Sequence, residues 1–106
     1  MVSVSGFKKM AMALGNVAEL PHFERTSFRV NKKIFATLDE KKQLACLMLS
    51  PLDQSTFCTF DKAVIYPVPN KWGLQGATYV ELKKVPASLL KDALTTAFES
   101  KLKGKK

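Results

Sequence analysis

Two short segments combine lysines with residues that favour turns, and the second also holds the one tryptophan of the chain. We name them the first tip (residues 31–33) and the second tip (residues 70–73). They read Asn31-Lys32-Lys33 and Asn70-Lys71-Trp72-Gly73. Lysine ammonium groups neutralise nucleic-acid phosphates and release counterions, and an exposed indole stacks on an unpaired base. The two tips therefore offer the chemistry of a nucleic-acid contact.

Two arginines, Arg25 and Arg29, lie on the approach to the first tip and extend its positive charge. Either arginine can instead hold the local structure by pairing with Glu24, Glu19 or Glu81. An exposed pair of this kind contributes less than about 1 kcal/mol, so it would not prevent a phosphate from competing for the guanidinium.

Each tip also has a purely structural interpretation. Lysines in turns keep the edges of a sheet soluble. The indole of Trp72 can pack back over the sheet edge, and for this residue packing is the expectation we favour. For Lys32, Lys33 and Lys71 the two interpretations stay open.

The rest of the chain has no pattern typical of a catalytic or metal site. Cys46 and Cys58 are separated by twelve positions and accompany the single histidine, His22, which is a poor ligand set. We expect two buried thiols and a histidine that serves as a polar cap or lies at a strand end. Nine acidic residues include no spaced pair with a reason to differ in pKa. We therefore expect no enzyme activity, no metal and no cofactor.

Gly73 and Gly76 are three positions apart in a predicted loop between two strands. No helix follows to take a pyrophosphate, so they do not form a dinucleotide fingerprint. Positive φ angles are the expected reason for both glycines.

Composition indicates a folded protein with an excess of positive charge. The chain has 106 residues, 46% hydrophobic and 25% charged, with a formal net charge of +8. That length suits one domain over residues 1–106, and the charge favours polyanionic partners. Lys8 and Lys9 interrupt any signal-peptide core, and no apolar run approaches the roughly 18 residues of a membrane span. We expect a cytoplasmic protein without a membrane span.

Hydrophobic periodicity and turn residues predict eight elements in the order α-β-β-β-α-β-β-α. Strands joined by short turns run antiparallel, so we predict an α+β fold with a five-stranded antiparallel sheet and helices packed on one face. The predicted strands cover residues 27–30, 34–38, 43–49, 63–66 and 78–82. The third is nearly all apolar and reads as a central strand.

Three helices complete this prediction, and each begins at a recognisable start signal. Ser3 or Ser5 caps the first. Ser50 caps the second, with Pro51 at its first position and Asp53 placed to answer the cap, and this helix ends near residue 60. Pro86 opens the last, which carries one broad apolar stripe.

The register of the first hairpin is left open by the sequence. A two-residue loop at Asn31-Lys32 pairs Phe28 with Phe35, and a three-residue loop pairs Val30 with Ile34. The face of the sheet that Arg29 occupies depends on this choice.

One set of segments recurs in a known family in the same order and spacing: Leu20-Pro21-His22, Arg25, Ser27-Phe28-Arg29-Val30, Lys33-Ile34-Phe35-Ala36, Ser50-Pro51, and Lys71-Trp72-Gly73 with Gly76. On these residues, and across nearly its whole length, the chain resembles the MmcQ/YjbR family of small bacterial proteins. It implies a compact α+β fold similar to secretion chaperones, often called a double wing, and a role in DNA binding. The chain departs from the family at the first tip, usually glycine-rich, and at Ala77, where an aromatic is common.

The leading hypothesis is a non-enzymatic module that binds the DNA backbone with little sequence specificity. The contacts would come from Arg25, Arg29, Lys32, Lys33, Lys71 and Trp72. The alternative is a protein-interaction or chaperone-like module that binds a partner chain on the sheet face or edge. A third interpretation is docking of the basic residues 101–106 to an anionic membrane.

Overall fold

The computed structural model describes residues 2–22 and 25–102, which form four helices and six strands. In chain order these are α1 (Val4–Met12), β1 (Ala18–His22), β2 (Arg25–Val30), β3 (Lys33–Asp39), β4 (Leu44–Met48), α2 (Pro51–Phe57), β5 (Ile65–Pro67), α3 (Lys71–Leu74), β6 (Ala77–Glu81) and α4 (Ala87–Leu102).

The strands form one antiparallel sheet in the order β1-β2-β3-β4-β6-β5. The prediction of five strands is wrong, because β1 is a sixth. From the sequence, Leu20-Pro21 is expected to precede the first strand rather than to belong to it, since proline has no N–H to donate to a neighbouring strand. An edge strand tolerates that loss because one side of it needs no ladder partner.

The start signals of the first two helices are confirmed. The Ser3 hydroxyl accepts from the backbone nitrogen of Gly6 at 2.9 Å, which caps α1. The Ser50 hydroxyl accepts from the nitrogen of Asp53 at 3.1 Å and donates to its carboxylate at 3.1 Å. The second helix ends at Phe57, about one turn earlier than predicted.

The main core lies between one face of the sheet and helices α1 and α4. Phe28, Phe35 and Leu38 on the strands meet Phe7 of α1 and Leu94 of α4, all buried. Phe7 packs edge-on against Phe28 at 5.5 Å between ring centroids. The opposite face has a small cluster of its own, so the residues that alternate outward from β2, β3, β4 and β6 are available to form a site.

Strand β4 is paired on both sides, with β3 and with β6. Ala45 and Leu47 belong to the main core, whereas Cys46 belongs to the small cluster on the opposite face. Burial on both faces explains why this stretch hardly alternates in sequence. In the described part of the chain, no helix is long and apolar enough to cross a membrane.

Candidate nucleic-acid interface

The two tips lie at the same end of the sheet. The first tip joins β2 to β3, and the second lies between β5 and β6. The antiparallel register sets Ala36 of β3 beside Leu47 of β4, and Met48 beside Ala77 of β6. The start of β3, the end of β4 and the start of β6 therefore adjoin, and both tips project from that end.

The first tip is a two-residue turn with both central residues in the left-handed region. Asn31 has φ 51° and Lys32 has φ 67°, and Val30 pairs with Lys33 across the turn. These angles are those of a type I′ turn, whose twist matches antiparallel strands. The Asn31 amide donates to the carbonyl of Leu102 at 3.0 Å, which ties the tip to the end of α4. Lys32 and Lys33 are exposed.

A bulge settles the register that the sequence leaves open. Arg29 pairs with Ile34, as a two-residue loop requires, but Phe28 then pairs with Ala36. Phe35 is the extra residue of β3, so neither of the two predicted pairings extends along the hairpin. The bulge lets both Phe28 and Phe35 reach the main core, and Arg29 takes the opposite face.

Arg29 is held by hydrogen bonds on that opposite face. Its Nε donates to the Ser27 hydroxyl at 3.1 Å, and that hydroxyl donates to the carbonyl of Leu20 at 2.9 Å. Of the suggested acidic partners, Glu19 instead contacts Lys8 at 3.7 Å, and the Glu81 carboxylate accepts from the Tyr66 hydroxyl. Lys8 also contacts Glu40 at 2.9 Å. Glu24 lies outside the described residues, and so does the side chain of His22.

The second tip forms the short helix α3 and corrects the prediction of a loop. The Asn70 side chain caps it by accepting from the nitrogen of Trp72 at 2.8 Å. A Cβ on Gly73 would meet the carbonyl oxygen of Val68 at 1.8 Å, so only glycine fits there. Close approach, not a positive φ, explains Gly73, whereas Gly76 has φ +112° as expected.

Trp72 does not pack over the sheet edge, because 64% of it is exposed. The favoured prediction, that the indole packs over the sheet edge, is therefore wrong. Lys71, its neighbour in α3, is exposed as well. The second tip thus presents one cation and one indole to solvent.

Between the tips the sheet forms a depression of about 440 Å³, which we call the concave face. Its floor includes Cys46, Met48 and Tyr79, with Arg25 on one side and Trp72 on the other. Arg25 is half-buried and starts β2 at the end of the sheet away from the tips. Its charge acts against the effect of burial on the Cys46 thiol, but burial is stronger and the pKa of Cys46 is raised.

All six predicted residues thus lie at or beside the tips or line the concave face. Lys32, Lys33, Lys71 and Trp72 are at the tip end, and Arg29 is held one position before the first turn. Arg25 reaches the same concave face from its far side.

Two tyrosines on this face were not identified as site residues from the sequence. Tyr79 lines the concave face, and Tyr66 packs edge-on against it at 5.9 Å between ring centroids. The Tyr66 hydroxyl donates to the carboxylate of Glu81. The alternation of Tyr79 with Val80 in the sequence could have identified Tyr79, because neighbouring strand residues point to opposite faces and Val80 belongs to the core.

A second group of exposed lysines lies at the opposite end of the sheet and was also missed. The carbonyl of Gln43 accepts from the nitrogen of Leu82 at 3.0 Å, which brings the β3–β4 turn beside the segment after β6. The group comprises Lys41, Lys42, Lys83 and Lys84. Acidic residues are mixed into this end, among them Glu40 and Glu81.

Both thiols are free, but only Cys46 is buried, since Cys58 is half-buried. Burial raises the pKa of each thiol. Within residues 2–22 and 25–102 no group of three or more histidine, cysteine or acidic side chains is placed to hold a metal ion.

The chain matches no family model, and no curated protein is significantly similar to it in sequence. Among solved structures it resembles the Deinococcus radiodurans protein DR2400, which has a DUF419 domain. The TM-score is 0.77 at 20% sequence identity, and the match covers 92% of this chain and 76% of the other. DUF419 is the MmcQ/YjbR-like family. The comparison establishes that the chain shares the small α+β fold of that structure.

Proposed function

We propose that this chain is a cytoplasmic, non-enzymatic member of the MmcQ/YjbR-like proteins that binds the DNA backbone through its two tips. The observation that carries the proposal is the placement of both tips at one end of the sheet, with Lys32, Lys33 and Lys71 all exposed. Separate lysines at opposite ends would each contact a phosphate weakly. Lysines at one end can contact successive phosphates of the same molecule.

Arg29 adds a positioned cation to this end. Its Nε is engaged by Ser27 at 3.1 Å, which orients the terminal nitrogens of the guanidinium without neutralising its charge. A guanidinium oriented in advance loses less side-chain entropy when it binds a phosphate. We assign to Arg29 a direct phosphate contact beside the first tip.

Sequence specificity is expected to be weak. The element at the second tip, α3, is a helix of four residues, which is too short to present several side chains along a major groove. Phosphate contacts position a protein on DNA but do not specify a sequence. The dissociation constant expected for such binding is about 10⁻⁴ to 10⁻⁶ M at physiological salt.

The test is a fluorescence-anisotropy titration of labelled DNA at several salt concentrations. The variant carries Lys32→Glu, Lys33→Glu and Lys71→Glu together. Its matched control carries Lys41→Glu, Lys42→Glu and Lys83→Glu, which change the net charge equally at the opposite end of the sheet. We expect log K of the wild type to fall with log salt at a slope of about −3 or steeper, which corresponds to several neutralised phosphates.

Under the proposal, the tip variant loses most binding and the control keeps most of it. Equal losses in the two variants would mean that net charge, not the tips, attracts the DNA. No binding at protein concentrations near 100 μM in about 50 mM salt would refute DNA binding altogether, since non-specific contact should be measurable there.

A partner chain on the concave face is the second candidate function. The observation that favours it is the apolar floor, where Met48 and Tyr79 are only half-buried. Addition of a strand at the sheet edge is less favoured. Each edge strand contains a proline, Pro21 in β1 and Pro67 in β5, and proline offers no N–H to an incoming strand.

A further inference from the structure

The concave face combines three kinds of surface: apolar, aromatic and positively charged. Its floor is apolar and contains the aromatic ring of Tyr79, its rim carries the exposed indole of Trp72, and its far side carries the guanidinium of Arg25. A duplex backbone has no group for the floor, because its bases are paired and turned inward. A ligand that exposes flat apolar rings and negative charge together would complement all three parts of this face.

The backbone around the second tip holds Trp72 at the rim. Asn70 caps α3 at its start, and Gly73 lies against the carbonyl of Val68 without room for a Cβ. The Gln54 side chain donates to the carbonyls of Gly73 and Ala77 at 2.8 and 2.9 Å, which ties α3 to α2 and β6. Trp72 therefore stays exposed on a constrained support rather than on a free loop.

The dimensions of the face suit a short stretch of a single strand. The lining runs from β2, at Arg25, across β3 and β4 to Tyr79 of β6. Four neighbouring strands span roughly 14 Å at the usual spacing of about 4.8 Å. The depression of about 440 Å³ is within the range of small-ligand sites, so it can take a nucleobase with its sugar.

We infer that the concave face binds unpaired bases of a single DNA strand, with one base stacked on Trp72 and a phosphate beside Arg25. This inference rests on the proposed function, which supplies the phosphate contacts at the tips. It adds a preference of the chain for single strands over duplex. Stacking on one aromatic side chain changes affinity by about 5- to 150-fold.

The experiment uses the tryptophan itself as the reporter, because the chain contains a single one. The full chain is titrated with an oligothymidine of about ten nucleotides, with an abasic strand of equal length, and with a duplex. The abasic strand keeps the phosphates and removes the bases. Trp72 fluorescence and the anisotropy of a labelled strand are both recorded.

The expected result is quenching of Trp72 by oligothymidine and not by the abasic strand, with at least about 5-fold tighter binding of oligothymidine. Trp72→Ala should abolish that difference in affinity, and Trp72→Phe should restore part of it. Phe60→Ala is the control, since Phe60 is also an exposed aromatic, at 53%, but lies beyond α2. Arg25→Gln should weaken oligothymidine binding and reduce its salt dependence.

The two proposals fail in different ways. Equal binding of both strands without quenching would overturn the inference and leave phosphate contact at the tips intact; the concave face would then be left to a partner chain. Absence of binding by all three nucleic acids would overturn the proposed function and the inference with it.

Discussion

The Nε of Arg29 donates a hydrogen bond of 3.1 Å to the hydroxyl of Ser27, two positions earlier on the same face of β2. Ser27 is buried, and its hydroxyl in turn donates a hydrogen bond to the carbonyl of Leu20 in β1. One hydroxyl thus joins an edge strand to the cation that we assign to a phosphate. Stability and binding should therefore be linked at this position.

Ser27→Ala tests that link. The substitution leaves the Leu20 carbonyl without its side-chain partner, and a lost hydrogen bond of this type destabilises by about 1 kcal/mol. Urea unfolding should show this loss, and DNA binding should weaken because Arg29 is no longer oriented. Ser100→Ala, on the exposed side of α4, is the control and should change neither quantity. An unchanged affinity in the Ser27→Ala protein would remove Arg29 from the site.

Lys32→Gly should make the protein more stable and a weaker DNA binder at once. Lys32 has φ 67°, a conformation that strains an L-residue by about 1 to 2 kcal/mol, while the added backbone freedom of glycine costs about 0.5 to 1 kcal/mol. We expect a net gain of about 0.5 kcal/mol in the free energy of unfolding. The slope of log K against log salt should fall by about one.

The control for this substitution is Lys42→Gly. Lys42 is an equally exposed lysine in a turn but is not among the residues with positive φ, so glycine relieves no strain there. It should lose stability and keep DNA binding. A loss of binding in the more stable Lys32→Gly protein cannot come from unfolding. The comparison of Lys32→Gly with Lys42→Gly therefore separates binding from stability, which charge reversal alone does not.

Gly73→Ala should disrupt the second tip through packing. The new Cβ would lie 1.8 Å from the carbonyl oxygen of Val68, so the backbone must move. We expect a loss of about 2 kcal/mol or more in the free energy of unfolding, measured by thermal or urea denaturation. Leu74→Ala, one residue later and 81% exposed, should change stability by less than about 0.5 kcal/mol. Similar stability of the two variants would contradict the close approach at Gly73.

The raised pKa of Tyr66 predicts that the stability of the fold decreases at alkaline pH. Burial, together with the hydrogen bond to Glu81, raises the pKa of Tyr66 from 10.0 to about 12. Between these values the folded chain keeps the phenolic proton and the unfolded chain releases it, so the free energy of unfolding falls as pH rises. Below about pH 10 the Tyr66 phenol is protonated in both the folded and the unfolded chain, so its full contribution to the free energy of unfolding is present.

The measurement compares urea unfolding of the wild type and the Tyr66→Phe variant across that pH range. Lysines titrate there in both proteins, so the informative quantity is the difference between the two curves. That difference should shrink steadily from about pH 10 to pH 12. Parallel curves would mean that Tyr66 has the same pKa in the folded and unfolded chains.

Local signals in the sequence predicted α1, α2 and α4, because helix start signals depend on residues that are close in the chain. Ser50-Pro51 with Asp53 is one such signal, and the hydrogen bonds at α2 confirm it. The nearly continuous apolar run before it predicted a central strand, and β4 indeed has a neighbour on each side.

The elements that the sequence did not predict depend on distant parts of the chain. Strand β1 contains Pro21, and only its position at an edge makes that residue acceptable. Helix α3 is too short for periodicity to reveal. The bulge at Phe35 accompanies the burial of both Phe28 and Phe35 in a core that α1 and α4 complete. The approach of Gly73 to Val68 spans only five residues, but it is a close contact between backbone atoms that residue types do not reveal.

The hydrogen bond from Asn31 to the carbonyl of Leu102 has a practical consequence for every binding experiment above. The bond places the end of α4 beside the first tip, so a label attached at Leu102 would lie close to the proposed DNA contact. At the other terminus, the backbone nitrogen of Val2 bonds to the carbonyl of Leu82, at the end of the sheet away from both tips. Immobilisation and labelling through the amino-terminal side therefore act at the end of the sheet that does not carry the tips.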